Sequence, residues 1–141
     1  HMLDKILNAN GQKAHQRTDS EDRSLIYRNW LRTVETGGFW IDIDLIKWKF
    51  NDQIPVPVAI TDITRTDKEE VGQSYLEAIE DRIFNRDSQA KILLTLGNLL
   101  KIPVYLVLFP KSMLWVCVLS IKARKWKNFT PLNWSVYLKS L

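Results

Sequence analysis

The stretch Gly38–Thr66, GFWIDIDLIKWKFNDQIPVPVAITDITRT, decides how this chain is read. It reads as two consecutive strands joined over Asn51–Pro57, where Asn-Asp and two prolines suit a hairpin-like turn. Side chains alternate along a strand. Phe39, Ile41, Ile43 and Leu45 therefore share one face of the first strand, and Trp40, Asp42, Asp44, Ile46 and Trp48 the other. In the second strand Val58, Ile60, Asp62 and Thr64 share a face, opposite Ala59, Thr61, Ile63 and Arg65. Asp42, Asp44 and Asp62 thus interrupt strands otherwise rich in Ile, Val, Trp and Phe. A carboxylate withdrawn from water is costly unless it is paired, hydrogen-bonded or bound to a cation. Neighbouring strands lie about 4.8 Å apart and alternate residues about 6.6 Å apart. Asp44 and Asp62 can therefore converge on one divalent cation, with Asp42 on the face of Asp44. Mg²⁺ or Mn²⁺ suits such oxygen ligands, and either would activate a water and stabilise charge on a phosphodiester under attack.

Helices surround this pair. Thr18 and Glu21 form a capping-box pattern ahead of a helix over about Ser20–Glu35, whose apolar stripe is Ile26, Tyr27, Trp30, Leu31 and Val34. Glu21, Arg28, Arg32 and Glu35 fall on another of its faces, as an ion-paired surface or as contributors to a site. Gly37-Gly38 ends it. After Arg65, the spacing of Val71, Tyr75, Leu76, Ile79 and Ile83 predicts a helix over Lys68–Phe84. A second helix follows over Gln89–Lys101. Pro103–Phe109, PVYLVLF, is an apolar run too short for a helix and reads as a strand buried on both faces. LWVCVLSI, Leu114–Ile121, reads as its neighbour. The basic segment KARKWKNF, Lys122–Phe129, interleaves Trp126 and Phe129 with cations. Thr130 caps a last helix with Pro131 at its first position. A helical link between the second strand and PVYLVLF suggests a crossover with parallel pairing. The expected fold is an α/β three-layer α-β-α sandwich around a central mixed sheet of four or more strands.

Composition narrows the class. At 141 residues, 45% of them hydrophobic, the chain suits one globular domain, expected over residues 18–141, behind a flexible arm over residues 1–17 that begins with the tag-like His1-Met2. No apolar run approaches the roughly 20 residues of a membrane helix, and no secretory leader is evident, so a cytoplasmic setting without membrane contact is expected. Cys117, the sole cysteine, sits mid-strand and reads as a core residue, which removes disulfides and cysteine-based zinc sites from consideration. The net charge is +4, and Lys111, Lys122, Arg124, Lys125, Lys127 and Lys139 lie in a C-terminal stretch without Asp or Glu. An acidic site beside such a surface suits a polyanionic partner.

At these residues the chain resembles the PD-(D/E)XK nuclease superfamily, with its restriction-endonuclease-like fold. The likeness covers about Ser20–Phe109: a helix, a strand with an acid, a second strand with an acid-x-lysine motif, then a helix and another strand. The resemblance implies a metal-dependent endonuclease acting on nucleic acid, DNA ahead of RNA. Asp44 would match the first-strand acid and Asp62 that of the second. Glu21 or Glu35 would match the helix glutamate of many members, and Gln89 a supporting glutamine. Thr64 stands where the lysine belongs, and Lys91 on the following helix is the candidate replacement. Arg28, Arg32, Arg65, Lys122, Arg124, Lys125 and Lys127 would contact phosphates; Trp48 and Trp126, if exposed, would serve a homodimer, and the alternative for the KARKWKNF segment is a basic loop with Trp126 anchored in the core. The departure at Thr64 motivates the alternative, a degenerate module of the same fold that binds nucleic acid or a protein partner without cleaving. An RNase H-like fold also gathers acids on strands, but it starts with antiparallel strands rather than a helix.

Overall fold

The computed structural model describes residues 17–34 and 37–141, with side chains described from Arg23 onward. The expected arm over residues 1–17 lies outside the described residues up to residue 16, and so does Glu35. The chain divides into two compact units, residues 1–41 and 42–141. The first contains helix α1, Arg17–Thr33, which exposes Leu25, Ile26, Tyr27 and Trp30. The second unit holds a five-stranded sheet and three helices.

That sheet has five strands in the order of the chain: β1 (Leu45–Asn51), β2 (Ile54–Thr66), β3 (Val104–Pro110), β4 (Val116–Ser120) and β5 (Lys125–Phe129). β2 and β3 pair in parallel, as the crossover predicts, and the other neighbours are antiparallel. The crossover comprises α2 (Gln73–Asp81), a π-helical turn (Arg82–Arg86) and α3 (Gln89–Leu100). The last helix, α4, is Pro131–Ser140, and the hydroxyl of its cap Thr130 accepts the Asn133 N–H at 3.1 Å.

Each face of the sheet has its own core. Ile60, Leu106, Leu108, Cys117 and Leu119 face α2 and α3, which contribute Ile79, Ala90 and Leu93, with Ile83 from the π-helical turn between them. Tyr105, Val107, Val116 and Val118 face α4, which contributes Trp134. Helices therefore flank a mixed five-stranded sheet, the arrangement of a generic three-layer α-β-α sandwich. Each residue buried at under about a tenth of its surface contributes on the order of 1.5–3 kcal/mol when large and apolar. Cys117 is 2% exposed, as a core residue should be, and burial pushes its thiol above the ordinary cysteine range.

Three elements differ from the sequence reading. Phe39–Asp44 alternates like a strand but has no regular structure, and β1 begins only at Leu45. A strand needs a hydrogen-bonding neighbour, and the β1–β2 ladder starts at Leu45↔Thr61. The turn is only Asp52-Gln53, both with positive φ of 49° and 69°, so Pro55 and Pro57 belong to β2. They lie before Ile60, where pairing with β3 begins, so neither removes a donor that β3 requires. Lys125–Phe129 forms the edge strand β5. Lysines are well suited to an edge that must resist further pairing.

Lys47 and Lys49 lie on the α4 face of β1. Their ammonium groups donate to the carbonyls of Leu138 and Lys139, respectively, in the last turn of α4, where cations are favoured. Trp126, expected either at a dimer surface or as the core anchor of a basic segment, packs on the α2–α3 core and donates its indole N–H to Glu80 Oε1 at 2.6 Å. Trp48 remains exposed. We expect Trp126→Phe to lower stability by about 1–3 kcal/mol in urea unfolding, the range for a hydrogen bond to a charged group.

Candidate functional site: a buried Asp62 met by an exposed Asp44

Asp62 is the charged residue most deeply buried among those described, 6% exposed, on the same face of β2 as Ile60. Asp44 reaches it from the segment just before β1. The ladder stops at Leu45↔Thr61, so Ile63 has no β1 carbonyl for its N–H; Asp44 Oδ2 accepts it instead at 2.9 Å. One carboxylate thereby extends the sheet by one rung, and this holds it against the next β2 side chain. Asp62 and Asp44 are joined by a side-chain hydrogen bond. Both this contact and the charge of Asp44 favour the protonated form of Asp62.

The Asp62 carboxyl is pushed up to about 7. Burial is the largest cause, followed by the hydrogen bond to Asp44 and the charge of Asp44, with Arg82 acting weakly in the opposite direction. Arg82 opens the π-helical turn, which closes with the Asp87 N–H donating to the Arg82 carbonyl at 2.8 Å. Such turns often occur at functional sites. Arg82 was not singled out in the sequence. Its signal was position alone, since it precedes Ile83, which is buried on the face of Asp62.

The other expected site residues are scattered. Lys91 is exposed on α3, and the cation acting on Asp62 is Arg82. Gln89 is the half-buried first residue of α3. Thr64 shares the Asp62 face and supplies no charge. Asp42 is exposed. Arg65 is exposed on the opposite face and ion-pairs with Asp67 at 3.7 Å. Arg28 and Arg32 lie exposed on α1 in the first unit, and Arg32 donates to Asn29. The side chain of Glu21 and all of Glu35 are outside the described residues.

The divalent-ion expectation is overturned. Among the described residues no group of three or more His, Cys, Asp or Glu side chains is placed to hold a metal ion. Asp44, Asp62 and Asp42 do not form the Mg²⁺ or Mn²⁺ site read from the sequence. Asp42 is exposed, and the other two are committed to each other and to a backbone N–H.

Comparison with family profiles, curated proteins and solved structures returns no match. The functional reading therefore rests on geometry. Its main feature is how the sheet separates charge. Asp62, Leu106, Leu119 and Trp126 form one row across β2 to β5, on the α2–α3 face. Tyr105, Ser120 and Lys125 form the neighbouring row, on the α4 face, and Lys127 follows beside Val118. The lysines of β5 and the acid pair thus occupy opposite faces, three strand spacings apart, or about 14 Å in the sheet plane. The basic segment does not stand beside the acids as the sequence reading had it. Lys122 and Arg124 occupy the β4–β5 turn, exposed, with the Arg124 guanidinium 4.1 Å above the Phe84 ring. Among the described residues no helix is long and apolar enough to cross a membrane.

Proposed function

We propose that the chain is a nucleic-acid-binding module on a restriction-endonuclease-like scaffold, one that binds through its β5 edge and does not cleave. The observation that carries this reading is the division of charge between the two faces. A phosphate backbone held by Lys125 and Lys127 runs along the α4 side, away from Asp44 and Asp62. Asp44 accepts a backbone N–H and contacts Asp62, and Thr64 offers no cation to orient a water. Lys125 and Lys127 are both exposed on β5 and supply two adjacent cations for phosphate oxygens on the α4 side.

Binding of this kind is electrostatic and falls with salt. Lys125→Glu combined with Lys127→Glu should weaken binding of a labelled oligonucleotide by at least about tenfold. Each lysine changed to alanine should reduce the salt slope by about 1. Asp62→Asn should leave affinity unchanged. Gel-shift and fluorescence-anisotropy titrations at several salt concentrations measure these effects. Cleavage of any nucleic acid by the parent protein, lost in Asp62→Ala, would overturn the non-cleaving part. Affinity indifferent to the β5 charge reversals would overturn the binding surface.

A further inference from the structure

A cavity of about 330 Å³ opens on the α4 face between that helix and β5, lined by Tyr105, Phe129, Trp134 and Tyr137 with Lys125 and Lys127. It lies at the small end of the roughly 300–1,000 Å³ range of ligand pockets. Its walls are aromatic. Trp134 and Tyr137 stack at 13° with centroids 5.5 Å apart, Tyr105 meets Trp134 edge-on, and Phe129 packs against both α4 rings. Trp134 is 8% exposed, whereas Tyr137 is 36% exposed. The hydroxyls of Tyr105 and Tyr137 are 2.7 Å apart, and burial together with this contact pushes Tyr105 above the ordinary tyrosine range. Two neutral hydroxyls in contact leave hydrogen-bonding capacity for a ligand edge. The Lys127 ammonium lies 5.1 Å over the Phe129 ring, which places a cation against the aromatic wall. No acid occurs from Lys111 to the C-terminus, so this segment supplies no anion to compete with a phosphate.

We propose that this cavity seats one base of a single-stranded nucleic acid, stacked on the Tyr137–Trp134 pair, while Lys125 and Lys127 hold the flanking phosphates. The inference rests on the nucleic-acid reading above and adds the strand type. A base can enter only when unstacked, which a single strand permits and a duplex opposes. An aromatic platform beside a basic strand is the general solution for sequence-tolerant single-strand binding. The ligand chemistry is thus a planar base next to phosphodiester anions.

The test titrates the full chain with a labelled oligothymidylate, the matching abasic strand and a duplex of equal length. The parent should prefer the base-bearing strand over the abasic one by about tenfold, the range expected for one stacked base. Tyr137→Ala should remove that preference and leave duplex affinity unchanged, while Tyr137→Phe should retain most of it. The unfolding midpoint of each variant checks that it folds. The abasic comparison needs no variant, so the proposal stays testable if Tyr137→Ala does not fold. Equal affinity of the parent for base-bearing and abasic strands would overturn the pocket, and so would an unchanged preference in Tyr137→Ala. If binding then still depends on Lys125 and Lys127, the basic surface stands without the pocket. If the parent binds none of the three probes, both readings fall together.

Discussion

At pH 8, Asp62→Asn should be more stable than the parent protein by about 2–4 kcal/mol, and the difference should vanish near pH 4. The sign follows from the direction of the shift. Asp62 has its ordinary carboxyl value of 3.8 in the unfolded chain and about 7 in the folded one. The folded state therefore holds its proton more tightly, and stability falls as pH rises between these values. One pKa unit corresponds to about 1.4 kcal/mol, so the full span costs about 4 kcal/mol above pH 7. Asparagine keeps the shape of the protonated acid, can still donate to Asp44 and cannot ionise. Urea unfolding of both proteins at several pH values measures the effect. Parallel pH profiles would show that Asp62 does not hold its proton in the folded chain. The expected gain also describes the site: an acid that lowers stability near neutral pH breaks the usual rule that buried charges are paired with cations. Residues of that kind are candidates for function, although structural networks also shift pKa values.

Gly97→Ala should destabilise the protein by about 1–3 kcal/mol, although alanine is the better helix former by about 1 kcal/mol. Gly97 lies one turn before the end of α3, where the chain reverses into β3. Its carbonyl accepts the Ile102 N–H at 3.0 Å, and Lys101 takes a left-handed conformation at the cap. A Cβ at this position would stand 2.4 Å from Val104 Cγ2 and 3.0 Å from the Ile102 carbonyl oxygen. Val104 is 5% exposed and has little space to turn away. Trimming it should relieve part of the clash. Gly97→Ala with Val104→Ala should therefore lose less stability than the two single changes summed, by more than the roughly 0.5 kcal/mol scatter of independent sites. Strict additivity in thermal or urea unfolding would place the cost elsewhere. The close approach also has a structural role, since it sets α3 against the end of β3 and so fixes the α2–α3 layer over Asp62.

Local patterns were legible where they reflect local chemistry. Val104–Phe109 is apolar at every position because both of its faces are covered, and the run reads directly as a buried strand. Thr130-Pro131 announced a helix start, because a hydroxyl acceptor and a missing N–H both suit that place. The parity of Ile60 and Asp62 on β2 followed from alternation alone, whereas strand spacing suggested that Asp44 and Asp62 converge on a divalent cation, which the structure overturns. The strand assigned to Phe39–Asp44 was misread because alternation is necessary for a strand but does not supply its partner. KARKWKNF was read for charge, yet its Lys-Trp-Lys alternation is that of an edge strand with one buried aromatic.

By itself, then, the sequence determined the α/β class, the parallel crossover, the core strands and the acid that no local partner stabilises. Only the tertiary structure decided what those acids meet and which face the cations share. Alternation divides each strand into two sides, but ladder register decides which sides coincide between strands. That register puts Asp62 in line with Trp126, and Lys125 in line with Tyr105. The same physics closes Asp44 onto the free Ile63 N–H and sets it against Asp62, where the sequence had suggested a cation.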